Sequence, residues 1–264
     1  ACDHGGTMAR KGLPQKSDDL FKYGHEKLRD PHPLSGGFAS HCHLRKGTDI
    51  FRLPDDLPPQ VAAPINCTHA TMAGALRLAG DLTGKQVLIT GAGMLGLSAC
   101  AMAREAGAAR VWTTDVVGER LERSLAFGAD AGFDANRPHR EIAARVRDSG
   151  GVDVLIETSG APAAMESGID LLNIGGASVW VGAVYTQRPL QVDAEKVVRN
   201  LLTIKGLHNY MPRDLATAVR FIEKNYRRYP FEALVAEEFP LEELDRAFAR
   251  AAEGGHYRIG VYGR

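Results

Sequence analysis

The stretch that decides the fold is KQVLITGAGMLGLSACAMAREAGAARVWTTD, residues 85–115. It begins with a short apolar run, passes through three spaced glycines into a helical pattern of apolar residues, and ends in a second apolar run and an aspartate. Short apolar runs of this kind are typical of buried parallel strands, and the pattern between them has the period of a helix. The stretch therefore predicts a strand, a crossover helix and a second strand.

The same alternation continues to about residue 210, with helical segments that mostly end in glycine. The last long helical pattern, PAAMESGIDLLNIGG, covers residues 162–176. Such a repeat indicates an α/β fold with a Rossmann-type, doubly wound parallel sheet. The predicted strands are residues 86–90, 110–114, 131–133, 152–157, 177–182 and 202–207.

Both ends of the chain differ from this central region. Residues 1–66 are rich in proline, glycine, histidine and charge, with one predicted strand, GFASHCHL, at 37–44. After residue 211 the patterns predict two helices and a terminal strand, YRIGVYG. The alternating pattern is therefore flanked by segments of another kind.

The composition narrows the class of protein. With 264 residues, 44% of them hydrophobic, the chain is long enough for a sizeable core and one or two domains. The net charge of +0 gives no attraction to nucleic acid or to a membrane surface. No apolar run reaches the roughly 20 residues that span a bilayer, the first residues lack a secretory signal, and the four cysteines are scattered. We expect a globular, cytoplasmic protein without a nucleic-acid or membrane partner.

The glycine-rich loop follows the first predicted strand and opens the first predicted helix. Free backbone N–H groups and the helix dipole at such a position favour a pyrophosphate. A tight strand-to-helix turn would explain the glycines alone, but the flanking strand and helix and the later aspartate together favour a dinucleotide site. The loop residues are Gly91, Gly93, Met94, Leu95 and Gly96.

The aspartate is Asp115, 19 residues after Gly96 and at the end of the second predicted strand. A carboxylate at this distance can accept hydrogen bonds from both ribose hydroxyls of an adenosine. A 2′-phosphate beside it would meet a like charge, so the sequence predicts NAD rather than NADP. Arg120 could approach the ribose or a phosphate, or be a solvated helix residue.

Six segments in order make the chain resemble the zinc-type medium-chain dehydrogenases of the alcohol dehydrogenase kind. The resemblance implies a partial GroES-like, β-rich catalytic domain built from both chain ends, residues 1–66 and 211–264, and an NAD-binding Rossmann domain at 67–210. GLPQKSDDLFKYGHEKL further resembles a subgroup associated with phosphonate catabolism. The six segments are INCTHATMAGAL, VLITGAGMLGLSA, FGADAGFDA, VDVLIETSGAP, GGASVWVGA and FPLEELDRAFARA.

The resemblance implies interconversion of a small-molecule alcohol and its carbonyl compound, with hydride passing to NAD and zinc polarising the substrate oxygen. It implies Cys67 as a zinc ligand and Thr71 as a catalytic residue against the nicotinamide ring. Ser159 could instead be a strand-end cap, and Arg258 a solvent-facing residue. The further cofactor-binding positions are Thr158, Ser159, Val181, Gly182, Ala183 and Arg258.

The zinc ligands of the family are incomplete in this sequence. The family binds the catalytic zinc through a cysteine and a histidine from its N-terminal region and a third ligand at the position of Cys67, and a single thiolate cannot replace all three. We expect either a fragment that lacks roughly the first quarter of a typical member or a complete chain with impaired zinc chemistry. In the structural-zinc lobe the family's cysteine positions hold Asp3, Gly6, Ala9 and Ser17.

Several residues near these positions suggest metal chemistry. Cys2 and His4 could bind a metal weakly, but two ligands do not make a closed tetrahedral site, so we expect a zinc-free lobe. We interpret His25 as a surface or interface histidine, because it lies too close to Cys67 in sequence to be the family's ligand. In a strand His41 and His43 share one face and Cys42 points to the other, so we interpret these three as ordinary strand residues. Two alternatives to a zinc enzyme remain, a zinc-free reductase of the same superfamily and a non-catalytic dinucleotide-binding protein. The family implies a homo-oligomer formed through the coenzyme domain, with GGASVWVGAVYTQRPLQV as a candidate edge. The residues in question are Cys2, His4, His25, His41, Cys42 and His43.

Overall fold

The structure is a computed structural model that describes residues 34, 36–44 and 48–263. It divides into two units. The central unit is Thr68–His208, and the terminal unit combines Ala1–Cys67 with Asn209–Arg264. No helix in the described part of the chain is both long enough and apolar enough to cross a membrane.

Eight strands occur in the described residues, six of them in the central unit. Those six form one parallel sheet in the order β3-β2-β1-β4-β5-β6. The order reverses between β1 and β4, which makes their carboxyl ends the topological switch point where such folds bind ligands. The doubly wound α/β prediction is confirmed. The strands are β1 (Gln86–Thr90), β2 (Arg110–Asp115), β3 (Ala131–Asp134), β4 (Val152–Glu157), β5 (Leu172–Trp180), β6 (Thr203–Gly206), β7 (Val235–Pro240) and β8 (Arg258–Tyr262).

Nine α-helices connect and flank these strands within the described residues. Short 3-10 turns at Phe231–Leu234 and Leu241–Glu243 and a π-helical turn at Ile65–His69 complete the regular structure there. The helices are α1 (Pro59–Ala62), α2 (Ala70–Ala79), α3 (Met94–Glu105), α4 (Gly118–Ala126), α5 (His139–Asp148), α6 (Pro162–Asp170), α7 (Ala194–Arg199), α8 (Pro212–Asn225) and α9 (Leu244–Ala252).

The core of the central unit lies on both faces of β1 and β4. Val87, Leu88 and Ile89 are completely buried, which is why this strand is an unbroken apolar run rather than an alternating one. Each such side chain contributes about 1.5–3 kcal/mol by its removal from water. Trp112 and Phe133 extend one face of this core, with ring centroids 6.3 Å apart.

The terminal unit is built on a smaller parallel pair. β7 pairs with β8, and α9 connects them. The amphipathic α8 buries one face that includes Leu215, Val219 and Ile222. Near its end, Arg227 donates a 2.7 Å hydrogen bond to Asp56.

Two segment predictions are wrong. The pattern at 162–176 is not one helix, because α6 ends at Asp170 and Leu172 begins β5 by pairing with Val152. The predicted strand at 37–44 is irregular, and its Cys42 is exposed. No other described strand pairs with that segment, and a strand needs a partner to satisfy its backbone.

Candidate functional site

The glycine-rich loop leaves β1 at its carboxyl end. Gly91 has φ +91°, a conformation that other residues rarely adopt, and its amide donates to the carbonyl oxygen of Thr114 at 2.8 Å. A Cβ atom on Gly91 would lie 2.9 Å from the amide nitrogen of Ser159. A Cβ atom on Gly96 would lie 1.8 Å from the carbonyl oxygen of Gly91. The loop therefore requires glycine at both positions for its own packing.

Gly93 is different, because a Cβ atom there would meet no protein atom within 4 Å. It is the N-cap of α3, and no side chain caps this helix. The amides of the first helical turn, from Met94 to Gly96, have no acceptor within the helix. A pyrophosphate fits such a position, since it needs both close approach to the backbone and unsatisfied N–H groups.

Asp115 is 8% exposed and is bound to the loop. Its Oδ2 accepts a 2.7 Å hydrogen bond from the amide of Ala92, and its Oδ1 accepts a 2.9 Å bond from the amide of Val117. An ionised carboxylate has about four acceptor positions, so about two remain for ribose hydroxyls. Arg120, in the first turn of α4, is partly buried.

A cavity of about 180 Å³ lies at the carboxyl end of the sheet, on the face covered by α5 and α6. Its lining is mostly apolar, and two of its residues, Thr114 and Val116, flank Asp115 in sequence. Apolar clefts with a few polar groups are the usual sites for small ligands. This cavity therefore belongs to the same candidate site as the loop and the aspartate.

The turn after β4 lies against the loop. The hydroxyl of Thr158 donates to the carbonyl oxygens of Thr90 and Gly91, at 2.9 Å each. The hydroxyl of Ser159 donates to Oε1 of Glu157 at 2.5 Å and accepts from the amide of Ala161 at 3.1 Å. Both serine contacts are internal to the turn, which is what a strand-end cap does.

The ends of β4 and β5 approach each other backbone to backbone. A Cβ atom on Gly160 would lie 2.4 Å from the carbonyl oxygen of Gly182, and one on Gly182 would lie 2.2 Å from the amide nitrogen of Gly160. Val181 is buried, whereas Ala183 is exposed where the chain leaves the sheet. The predicted positions at these two strand ends are therefore neighbours at the switch point.

The predicted catalytic residue, Thr71, is buried in α2. Cys67 is exposed in the preceding π-helical turn, whose hydrogen bonds join residues five apart. Although Cys67 and Thr71 are four residues apart, the first is exposed and the second is buried. The neighbouring His69 is buried, with Nδ1 2.8 Å from Oγ of Ser98.

The terminal unit contains two of the predicted site residues, Cys67 and Arg258. Arg258 begins β8, where it pairs with Val235. In the described part of the chain no group of three or more His, Cys, Asp or Glu side chains is arranged to hold a metal ion. The residues that stand at the family's structural-zinc positions, and also Cys2, His4 and His25, lie outside the described residues.

Several residues that shape this site were not predicted from the sequence, among them Thr90, Ala92 and Glu157. Glu157 could have been identified by its position, since it is a carboxylate at the end of a predicted strand, directly before Thr-Ser-Gly. The sequence does not show that its side chain turns back onto the following amides.

The sequence is similar to those of known dehydrogenases. The sequence pattern of the family described as zinc-binding dehydrogenase matches residues 95–224. A sorbitol dehydrogenase from Halalkalibacterium halodurans is 29% identical over 263 residues, which are 98% of this chain and 68% of the relative. An L-threonine 3-dehydrogenase from Anaeromyxobacter sp. (strain K) is 30% identical over 219 residues, 81% of this chain and 60% of the relative.

Solved structures show the same likeness. A crystal structure of an alcohol dehydrogenase from Thermotoga maritima superposes with a TM-score of 0.84 at 25% identity, covering 93% of this chain and 67% of the other. The chain spans 68% of the length of the sorbitol dehydrogenase and 60% of the length of the L-threonine 3-dehydrogenase. The family pattern over residues 95–224, the sequence relatives and the superposition agree with one another, and the chain is similar to the zinc-binding dehydrogenases in sequence and in fold.

Proposed function

We propose that this chain contains the coenzyme site of an NAD-dependent oxidoreductase that interconverts an alcohol and an aldehyde or ketone by hydride transfer. The observation that carries the proposal is the open, uncapped head of α3 beside Gly93, with Asp115 bound to the same loop. The relatives named as sorbitol, threonine and alcohol dehydrogenases support the class of reaction. The activity is proposed for the whole protein, because the chain spans only 68% and 60% of the length of the first two of these relatives.

Each part of a dinucleotide has a counterpart in the central unit. The first-turn amides of α3 bind the pyrophosphate, and Asp115 accepts hydrogen bonds from the adenosine ribose. The apolar cavity beside Thr114 and Val116 takes the adenine ring. The strand ends at Thr158–Ser159 and Val181–Ala183 line the other half of the crevice. When bound, the nicotinamide would supply the hydride acceptor.

The preference for NAD over NADP follows from Asp115. Its carboxylate is fixed by two backbone amides, so it cannot swing away from an added 2′-phosphate without breaking them. A fixed negative charge beside a second one costs binding energy. We therefore expect NADH to bind more tightly than NADPH.

The described residues do not fit a catalytic zinc. Such a site needs three protein ligands, and Cys67 is the one recognisable candidate in the described part of the chain. We assign no step of the reaction to zinc in this chain. Thr71 remains the proposed positioning residue against the nicotinamide, while zinc dependence remains an expectation for the family.

The incomplete ligand set favours two further candidates, a zinc-free reductase and a non-catalytic dinucleotide-binding protein. We also propose a homo-oligomer. β6 is an outer strand of the sheet, and Val184, Tyr185, Val198 and Leu201 are exposed apolar residues near this edge in sequence. We also propose a reducing, cytoplasmic compartment, because the four cysteines are scattered along the sequence and do not form the pattern of a disulfide framework.

One experiment separates these functions. NADH formation from sorbitol, L-threonine and short-chain alcohols is measured for the unmodified chain and for Cys67→Ala, with and without chelator, together with NADH binding. Oxidation that needs zinc and is lost in Cys67→Ala supports the zinc enzyme. Oxidation that survives both treatments supports the zinc-free reductase. Binding without turnover supports the non-catalytic protein if turnover is still absent after an N-terminal segment that supplies a cysteine and a histidine is added. Absence of NADH binding would contradict all three.

A further inference from the structure

Glu157 is a buried carboxylate at the topological switch point. It is the last residue of β4 and is completely buried. In the sheet it pairs with Thr90 of β1 on one side and Trp180 of β5 on the other. It therefore lies where the two mononucleotide-binding halves of the fold meet.

The side chain of Glu157 turns back onto the two residues that follow it. Its Oε1 accepts hydrogen bonds from the amide nitrogens of Ser159 and Gly160, at 2.8 Å each, and from the Ser159 hydroxyl at 2.5 Å. The hydroxyl of Thr90 adds a longer contact of 3.4 Å. The carboxylate thus fixes the turn at the end of β4.

The other carboxylate oxygen of Glu157, Oε2, is buried and has no hydrogen-bond partner among the described residues. A buried carboxylate oxygen without a partner costs free energy that an apolar side chain would not. Packing alone therefore does not account for a carboxylate here. What the carboxylate of Glu157 contributes is the hydrogen bonds that its Oε1 accepts.

The turn fixed by Glu157 is connected to both sides of the crevice. On one side, Ser159 lies close to Gly91, because a Cβ atom added to Gly91 would be 2.9 Å from the amide nitrogen of Ser159. On the other, the main-chain carbonyl of Glu157 accepts from the amides of Val181 and Gly182, at 2.9 and 3.2 Å. The position of Glu157 therefore sets how β4, β5 and the glycine loop meet.

We infer that Glu157 is a positioning residue for the nicotinamide half of the coenzyme. This inference rests on the proposed function. Asp115 holds the loop on the half of the sheet that binds adenosine, and Glu157 holds the turn at the start of the half that takes the second nucleotide. Loss of the Glu157 carboxylate displaces the turn and leaves the adenosine subsite in place.

The test uses two variants and two probes. Glu157→Leu removes every acceptor, and Glu157→Gln keeps one neutral acceptor at nearly the same volume. Affinities for NADH and for ADP, which lacks the nicotinamide nucleotide, are measured by calorimetry, and the fluorescence of bound NADH is recorded. We expect Glu157→Leu to weaken NADH binding by about tenfold or more and Glu157→Gln by less, because the retained amide oxygen restores part of the contact. ADP affinity should stay within about twofold of the unmodified chain.

Two results overturn the inference. One is a folded Glu157→Leu or Glu157→Gln chain that binds NADH as tightly as the unmodified chain. The other is an equal loss of NADH and ADP affinity, which indicates a general structural role. If Glu157→Leu does not fold, the same two comparisons on Glu157→Gln decide. An unmodified chain that binds neither probe contradicts the proposed function instead, so the two failures are distinguishable.

Discussion

The amide nitrogen of Ala92 donates a 2.7 Å hydrogen bond to Oδ2 of Asp115, so the aspartate at the end of β2 is part of the glycine loop's own structure. The second oxygen is used in the same way by the amide of Val117. Asp115 therefore acts before any ligand arrives, by holding the loop in the conformation that exposes the head of α3. Its substitution affects folding as well as recognition, and the two effects need separate measurements.

Asp115→Asn should narrow the preference for NADH over NADPH. The negative charge is lost, and one backbone amide then faces a side-chain NH₂ group, which costs about 1–3 kcal/mol of unfolding free energy. Affinities for both cofactors and urea unfolding measure the two effects. Glu119→Gln is the matched control, since it removes the same charge from an exposed position in the first turn of α4. An unchanged affinity ratio in Asp115→Asn would show that this carboxylate does not select the cofactor.

Two glycine variants should separate loop packing from ligand access. Gly96→Ala places a methyl group 1.8 Å from the Gly91 carbonyl oxygen, so we expect a loss of about 1–3 kcal/mol or more in unfolding free energy. Gly93→Ala meets no protein atom within 4 Å and should change stability by less than about 1 kcal/mol. It should nevertheless weaken NADH binding, because the methyl group enters the open space at the head of α3. Full NADH affinity in Gly93→Ala would place the pyrophosphate elsewhere.

The Glu166–Arg188 ion pair should make stability depend on pH. Hydrogen bonds from the Arg188 guanidinium and the Gln191 amide lower the pKa of Glu166 to about 2. The pKa of a glutamate in the unfolded chain is about 4.3. The pair therefore stabilises the native state above that pH, and this contribution is lost as the pH falls toward about 2.

The measurement is urea unfolding of the unmodified chain and of Glu166→Gln between about pH 6 and 3. The difference in unfolding free energy should be largest at the upper end and shrink toward the lower end. Glu141→Gln is a control of small expected effect, because its pair with Arg137 spans 4.0 Å between exposed side chains. A difference that grows as the pH falls would reverse the assigned sign.

The purified chain should hold well under one zinc ion per molecule. Cys67 is the one recognisable catalytic ligand in the described residues, and a single thiolate does not retain zinc against mild chelation. Elemental analysis after chelation, on the unmodified chain and on Cys67→Ala, tests this. Cys100→Ala is the control, because burial in α3 raises the pKa of that thiol and makes it a poor ligand. Stoichiometric zinc that is lost in Cys67→Ala would show that further ligands exist.

The sequence predicts most of the central sheet, because β1, β2 and β4 are nearly continuous runs of buried residues. β1 and β4 occupy the predicted residues, and β6 differs by one residue at each end. The sequence does not predict the start of β5, because Leu172 belongs to the strand through its pairing with Val152. The local pattern of apolar residues does not show this pairing. The short α7, at Ala194–Arg199, buries no side chain and so lacks the apolar period that identifies a helix.

The candidate site was predictable where backbone chemistry dictates residue type. Gly91 is required because its φ is positive, and Gly96 because a carbonyl oxygen lies close to it. Such requirements fix glycines at a spacing that can be seen in the sequence. Glu157 was not predictable, since its role depends on which way a buried side chain turns at a strand end. The direction of that side chain is set by the fold around it.

The most direct test of the account is a calorimetric titration of the unmodified chain with NADH and, separately, with NADPH. The account predicts a single class of NADH site and clearly weaker NADPH binding, because the fixed carboxylate of Asp115 disfavours a 2′-phosphate. Equal affinity for the two cofactors, or no binding of either, would contradict it.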